Sequence, residues 1–254
     1  VIAGQASEWT DVLSSIIQGS VLSGILFLLY IDDIEDELEE PIEMVPNQQS
    51  AEQTKRQPAL ISIFVDDTKT ARTVKDNEDK EQMQGLIDRL GEWSIRWDLR
   101  FNVDKCKIFH AGRTNPRFQY KLYGQQLQST EAEKDVGVIL TPDLRPSKMV
   151  ARAAARANQV LGAWARAVSW RDKVTWIGIY KIYVRPKLEY CSQAWCPWTA
   201  GDIETLEKVQ RRAVRMVTTL PRDMSYIEKL KLLGLTPLVE RRERGDMIQM
   251  YRCV

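Results

Sequence analysis

The stretch Leu60-Ile61-Ser62-Ile63-Phe64-Val65-Asp66-Asp67-Thr68-Lys69-Thr70-Ala71-Arg72-Thr73-Val74 holds two runs rich in β-branched residues, separated by a pair of carboxylates. Branching at Cβ favours extended backbone and a pleated, half-buried surface. The two runs therefore predict a β-hairpin with Asp66-Asp67 at its tip. Met83, Leu86, Ile87, Leu90, Trp93, Ile95 and Trp97 follow at helical spacing. They predict a helix over residues 77–99 that covers the hairpin's sheet.

Upstream, Gln18-Gly19-Ser20 leads into the apolar run from Val21 to Ile31, which is broken by Ser23 and Gly24. Ser20 or Ser23 is placed to cap a helix through Leu26, Leu29 and Tyr30 toward Leu38. The run is well short of the roughly 20 residues that cross a bilayer, so it predicts a buried element and no membrane partner. Asp32-Asp33 reads as a helix end. The acidic and polar residues from 32 to 58 carry no apolar period and predict an exposed loop.

Downstream, short strands are expected near residues 101–109, 120–122 and 137–140. Beyond Pro146 the period becomes helical throughout. One helix is predicted over 147–168 with Val150, Ala153, Ala157, Leu161 and Trp164 on one face, and another from 172 toward 190. A third is predicted over 202–220, with Ile203, Leu206, Val209, Ala213 and Val217 inward and Arg211, Arg212 and Arg215 on the other side. The expected class is α+β: a small antiparallel sheet with helices, then an all-helical region.

With 44% apolar and 28% charged residues in 254, the composition is that of a folded globular chain rather than a disordered one. The net charge of +1 hides an asymmetry: residues 1–144 hold 15 Lys/Arg against 25 Asp/Glu, and residues 145–254 hold 21 against 10. A basic C-terminal half suits a polyanion, and opposite halves equally suit docking on each other. Cys106, Cys191, Cys196 and Cys253 follow no zinc spacing, and the single histidine, His110, is remote from the last three. Free thiols point to a reducing intracellular compartment, nucleus or cytoplasm. The chain opens on Val1 with no leader pattern, so residues upstream are expected.

Adjacent carboxylates at a hairpin tip suit nucleotidyl transfer, in which Mg²⁺ ions clamp the attacking and leaving oxygens and take hard oxygen ligands. An isolated Asp-Asp pair is weak support, because Asp32-Asp33 occurs in the same chain without that context. The surroundings are more specific. Phe64-Val65-Asp66-Asp67 resembles the aromatic-x-Asp-Asp motif of reverse transcriptases, and Gln18-Gly19-Ser20 resembles the Pro-Gln-Gly-Ser segment that precedes it. Trp97, Phe101-Asn102, Lys105-Cys106-Lys107 and Glu133-Lys134-Asp135-Val136-Gly137-Val138 look like the next two palm motifs of non-LTR (LINE-type, jockey-like) elements. Val184-Arg185-Pro186, Val209-Gln210-Arg211-Arg212-Ala213 and Arg241-Arg242-Glu243-Arg244-Gly245-Asp246 are similar to the helical region after the polymerase core.

The resemblance implies an RNA-directed DNA polymerase using Mg²⁺, an RNA template and a DNA primer. It implies a partial palm over 1–143, thumb-like helices over 144–198 and a C-terminal helical region over 199–254. Asp66 and Asp67 would be metal ligands and catalytic residues, with Lys105 beside the leaving pyrophosphate. Gln18, Gly19, Phe64, Val65, Gly137, Arg211, Arg212 and Arg215 would border nucleotide or nucleic acid. Read on its own, Lys105 is equally a solvated turn residue and Gly137 a strand bend.

The sequence also departs from the family. Ser15-Ile16-Ile17 stands where Gly-Val-Pro is usual, Gly24 where proline is usual, and Val65 where a small alanine is usual. The family's further metal-binding aspartate and its fingers lie upstream of the Gln-Gly segment and have no counterpart in these residues. Two expectations follow: a polymerase segment inactive by itself, or a domesticated, non-catalytic remnant serving as a structural subunit in a larger assembly with protein partners.

Overall fold

The computed structural model describes residues 21–34, 59–64, 67–221 and 223–253. The chain divides into two compact units: residues 1–108 with 115–128, and residues 109–114 with 129–254. The class is α+β, with small two-stranded sheets and helices.

In the first unit, α1 (Val21–Ile31) precedes the hairpin of β1 (Leu60–Phe64) and β2 (Asp67–Ala71), and α2 (Asn77–Arg96) follows. The hairpin is antiparallel, with Leu60 opposite Ala71 and Phe64 opposite Asp67. Alternation turns Ile61 and Ile63 toward a core of Ile31, Ile34, Leu86, Leu90 and Trp93. α2 thus covers the sheet, as its spacing predicts. Asp76 caps this helix by accepting from the Asp79 amide at 2.9 Å. Ile95, expected inward, is 51% exposed, because it lies off the stripe set by Leu86, Leu90 and Trp93.

Two expectations for α1 are corrected. Ser23 lies inside the helix and is not its cap, and Ser20 falls outside the described residues. The run is also not buried: Leu22, Ile25, Leu26, Leu28 and Leu29 are exposed. An all-round apolar helix can face one core with only one stripe, here through Phe27, Ile31 and, just past its end, Ile34. Of the exposed acidic loop expected over residues 32–58, residues 35–58 lie outside the described residues, and the part that is described departs from it: Ile34 is buried in this core and Asp33 bonds the Trp93 indole.

A second small core, with Ile87, Tyr120, Leu122 and Leu127 at its centre, lies on another side of α2. It carries the hairpin of β4 (Lys121–Leu122) and β5 (Gln125–Gln126). The chain passes between the units three times: within β3 (Lys107–Phe109), between Thr114 and Asn115, and within β6 (Gln128–Thr130).

In the second unit, β7 (Glu133–Asp135) and β8 (Val138–Leu140) form a hairpin. After β8, every described element is helical: α3 (Ser147–Ala167), α4 (Lys173–Ile179), a π segment (Tyr180–Val184), α5 (Arg185–Glu189), α6 (Ser192–Trp195), α7 (Ala200–Arg215), α8 (Tyr226–Leu233) and α9 (Leu238–Cys253). Their shared core includes Leu161, Trp176, Tyr180, Leu188 and Leu206, all fully buried. The helix expected from 172 to 190 widens at Tyr180, where the Arg185 amide reaches back to the Tyr180 carbonyl. Pro186 explains the widening: with no amide to donate and a ring that would crowd the carbonyl four residues back, it cannot continue the helix from the preceding turn and stands instead in the first turn of α5. α7 begins at Ala200 under a Thr199 cap and ends at Arg215, shorter at its C-terminal end than the expected span to 220.

Candidate functional site

Of the carboxylate pair of the first hairpin, the structure describes Asp67. Asp67 is the first residue of β2, opposite Phe64, and both side chains are exposed. Val65 and Asp66 lie outside the described residues, as do Gln18 and Gly19. Asp67 makes no ion pair among the described residues, so its oxygens are open to a hard cation. Those residues contain no cluster of three or more His, Cys, Asp or Glu that could hold a metal.

The hairpin rests on a braced layer. Asp33, just past α1, accepts from the Trp93 indole at 3.0 Å. Tyr30 donates to the Trp97 carbonyl at 2.6 Å and meets the Trp97 ring edge-on at 5.2 Å. The second acidic pair of the chain is therefore partly structural, consistent with its reading as a helix end.

Lys105 is exposed in a turn built by Asn102, whose carbonyl accepts from the Lys105 and Cys106 amides at 3.0 and 3.1 Å. The Asn102 side chain accepts from the Asp104 amide at 3.1 Å. Phe101, at the root of this turn, packs against the same core as Ile61 and Ile63. Sequence reasoning missed what holds it there. The Tyr123 hydroxyl accepts from the Phe101 amide at 3.1 Å and is hydrogen-bonded to the buried Ser94 of α2. The available signal was Tyr123-Gly124 between two short strands, a hairpin turn with positive φ at both residues (52° and 76°).

The remaining candidates lie in the second unit. Val136 and Gly137, at φ 41° and 87°, form the tight turn between β7 and β8. A Cβ on Gly137 would stand 3.1 Å from the Tyr190 ring, and Tyr190 donates its hydroxyl to the Val136 carbonyl at 2.9 Å. Glycine is required there by conformation and by contact. Arg211 is half-buried, paired with Glu204 at 2.5 Å and lying 5.1 Å above the Tyr226 ring. Arg212 donates to Asn158 of α3 at 2.9 Å, and Arg215 is exposed without an ion pair among the described residues.

The inner side of α7 carries a polar network that sequence reading also missed. Gln210 is fully buried; its carbonyl accepts from the Tyr180 hydroxyl at 2.7 Å and its amide donates to Thr236 O at 3.0 Å. Glu207 accepts from the Leu238 amide at 3.0 Å, from Gln210 at 3.1 Å and from the Tyr226 hydroxyl. One carboxylate thus satisfies the first amide of α9 and ties α8 to α7. Burial and the bond to Glu207 push the Tyr226 phenol well above its ordinary range.

A sequence model of the family described as reverse transcriptase (RNA-dependent DNA polymerase) matches residues 2–180. The chain is 21% identical over 243 residues to the RNA-directed DNA polymerase from mobile element jockey of Drosophila melanogaster, covering 92% of this chain and 25% of that protein. It is 25% identical to the probable RNA-directed DNA polymerase from transposon X-element of the same species, over 82% of this chain and 22% of that one. The corresponding jockey polymerase of Drosophila funebris is also 25% identical, over 80% of this chain and 22% of its own length. The chain spans about a quarter of the length of these relatives, which are polymerases of non-LTR retrotransposons. No solved structure matches it significantly.

Proposed function

The chain belongs to the reverse transcriptase (RNA-dependent DNA polymerase) family, and from that premise we propose that it supplies the metal-carboxylate hairpin and the following helical region of RNA-directed DNA synthesis. The observation that carries this reading is the hairpin itself, lying within the matched residues 2–180 with Asp67 exposed at the start of its return strand. Residues 1–143 then act as a partial palm, 144–198 as thumb-like helices and 199–254 as a C-terminal helical region.

Asp66 and Asp67 would hold Mg²⁺, since carboxylate oxygens are its preferred ligands. When bound, the metal would neutralise charge building on phosphate oxygens. Phe64, Gln18, Gly19 and Val65 would border the incoming nucleotide, Gly137 the primer end, and Lys105 would offer a proton or a positive charge to the leaving pyrophosphate from its rigid Asn102 turn. The substrates are an RNA template, a DNA primer and deoxynucleotides.

A two-metal transfer needs carboxylates fixed from more than one strand. The 254-residue polypeptide brings the Asp66-Asp67 pair from one hairpin, so by itself it should extend no primer on an RNA template with Mg²⁺ or Mn²⁺. Extension above background that disappears in Asp66→Ala would mean that another carboxylate completes the site. Calorimetric titration with Mg²⁺ tests the ligands directly: affinity should fall in Asp66→Ala and in Asp67→Ala, and equal affinity removes that residue as a ligand. The exposed apolar side of α1 favours a second reading, a non-catalytic subunit that packs against protein partners.

A further inference from the structure

The helical stretch that runs from the Asp172 cap through α4, the π segment and α5 is apolar on two opposite faces. Its inner face, with Trp176, Ile177, Tyr180, Val184 and Leu188, is buried in the second unit's core. The Trp176 indole donates to the Ala213 carbonyl at 2.9 Å and the Tyr180 hydroxyl to Gln210 at 2.7 Å, which fixes the stretch in rotation. Its outer face presents Val174 at 81% exposure and Ile182 at 66%, with Pro186 exposed beyond them. Trp170, 70% exposed, stands two residues before the cap. A helix that packs on one core needs one apolar side, so the second side has no role within the unit.

The widened turn keeps these outer residues in line. In a regular helix, positions four apart drift by about 40° at each step, and a π turn, holding more residues, offsets that drift. Val174, Gly178, Ile182 and Pro186 thus form one row about 18 Å long at 1.5 Å per residue. Gly178 interrupts the row: a Cβ there would meet nothing within 4 Å. The face is a notch between two apolar ridges, open to close approach by another backbone. Lys173, Lys181 and Lys187 border the row and make no ion pair among the described residues. The two carboxylates of the stretch are engaged elsewhere. Asp172 accepts from the Val174 and Thr175 amides at 2.9 and 3.0 Å, and Glu189 holds Arg241 and Arg185.

We propose that this notched face docks one acidic amphipathic helix of a protein partner, with an apolar side chain seated at Gly178 between Val174 and Ile182 and its carboxylates on Lys173, Lys181 and Lys187. Charge and shape together choose the occupant. A second copy of this chain would set the same lysines against one another. A phosphate backbone would pair with the lysines and leave the apolar row in water. A lipid surface takes up apolar side chains of any outline and has no use for a notch, whereas helices pack by seating the ridge of one in the groove of the other. An apolar row bordered by like charges is the complement of a helix in groove-type recognition. The inference is independent of the polymerase reading and concerns a face that the proposed chemistry leaves unused.

Fluorescence anisotropy of the full 254-residue chain with a labelled synthetic helix tests this. The probe has about 18 residues, with Leu along one face, Glu along the borders of that face and Ala elsewhere. The Glu peptide should bind, and the same peptide with Lys at the borders should not. V174D/I182D should weaken binding at least about tenfold, since one aliphatic side chain withdrawn from water already contributes about that much. G178L fills the notch with a better helix former, so thermal stability should not fall while binding drops at least about tenfold. K173E/K181E/K187E should exchange the preference, taking the Lys peptide over the Glu peptide. Absence of Glu-peptide binding, equal binding of the two peptides, or undiminished binding by V174D/I182D with unchanged circular dichroism overturns the inference. Binding to anionic lipid vesicles but to neither peptide overturns it in favour of a membrane surface. The polymerase reading stands or falls separately, on the Mg²⁺ titration of the hairpin.

Discussion

The first hairpin and the helical core of the second unit hold their polar residues in opposite ways. On the hairpin, Asp67 and Phe64 stand in solvent, and the two inward isoleucines are only half-buried. In the helical core, Glu207 and Gln210 are buried, and their bonds to Tyr180, Tyr226, Thr236 and Leu238 join α7 to separate helices and turns. The enclosed polar groups of the helical core are satisfied by partners within it, whereas Asp67 is exposed and makes no ion pair among the described residues.

The largest expected effect breaks the enclosed side. Glu207→Ala leaves the Tyr226 hydroxyl and the Leu238 amide without their acceptor, and should cost about 4 kcal/mol in urea unfolding, at roughly 1–3 kcal/mol per orphaned buried group. Leu161→Ala, in the same fully buried core, should cost about 3 kcal/mol. Phe64→Ala on the hairpin, at 55% exposure, should fall within about 0.5 kcal/mol. A hairpin variant as damaging as the core variants would collapse the distinction.

Alkaline pH probes the same network. The Tyr226 pKa is raised in the folded chain, first by burial and then by Glu207, so the phenol's contribution is complete below its unfolded value of 10.0. It is lost as pH rises above that value toward the folded one. Tyr180 is raised in the same direction, mainly by burial. The urea midpoint should therefore decline as pH rises above about 10 in the unsubstituted chain, and less steeply in Tyr226→Phe. Equal slopes would mean that Tyr226 is not held neutral by the fold.

Much of this was legible in sequence because it is periodic. Ile61 and Ile63 alternate, Leu86, Leu90 and Trp93 recur at helical spacing, and both patterns formed the predicted elements. What was missed depends on contacts between distant segments, which no local period encodes. Leu26 and Leu29 are as apolar as core residues, and only the tertiary arrangement leaves them exposed. Arg211 and Arg212 are adjacent and alike in sequence, yet one is held by Glu204 and Tyr226 and the other reaches Asn158. Pairing of Glu207 and Gln210 with Tyr180, Tyr226 and Leu238 spans up to 31 residues and leaves no local mark. The Asp66-Asp67 pair could be recognised by motif, while the pairing of Asp67 with Phe64 needed the strand register.

Two glycines at hairpin turns sharpen the comparison at smaller scale. Gly137 and Gly124 share positive φ, at 87° and 76°, but only Gly137 has a close neighbour, the Tyr190 ring, 3.1 Å from where a Cβ would stand. Gly124→Ala should cost about 1 kcal/mol, the left-handed penalty alone. Gly137→Ala should cost about 2 kcal/mol, since the ring must also move. Equal losses in thermal unfolding would show that Tyr190 yields freely.

The smallest stability effect is expected at Asp67, the proposed metal ligand. Asp67 is exposed, makes no ion pair among the described residues, and contributes its backbone, not its side chain, to the pairing with Phe64. Asp67→Asn keeps shape and volume and removes only charge, so unfolding should shift by no more than about 0.5 kcal/mol. The same change removes a hard anionic oxygen ligand, so Mg²⁺ affinity should fall measurably in calorimetry. A structural carboxylate would give the reverse pattern, a loss of stability with metal affinity unchanged. Measuring both on one variant therefore decides whether Asp67 belongs with the enclosed, satisfied groups such as Glu207 or with those the fold leaves open for a ligand.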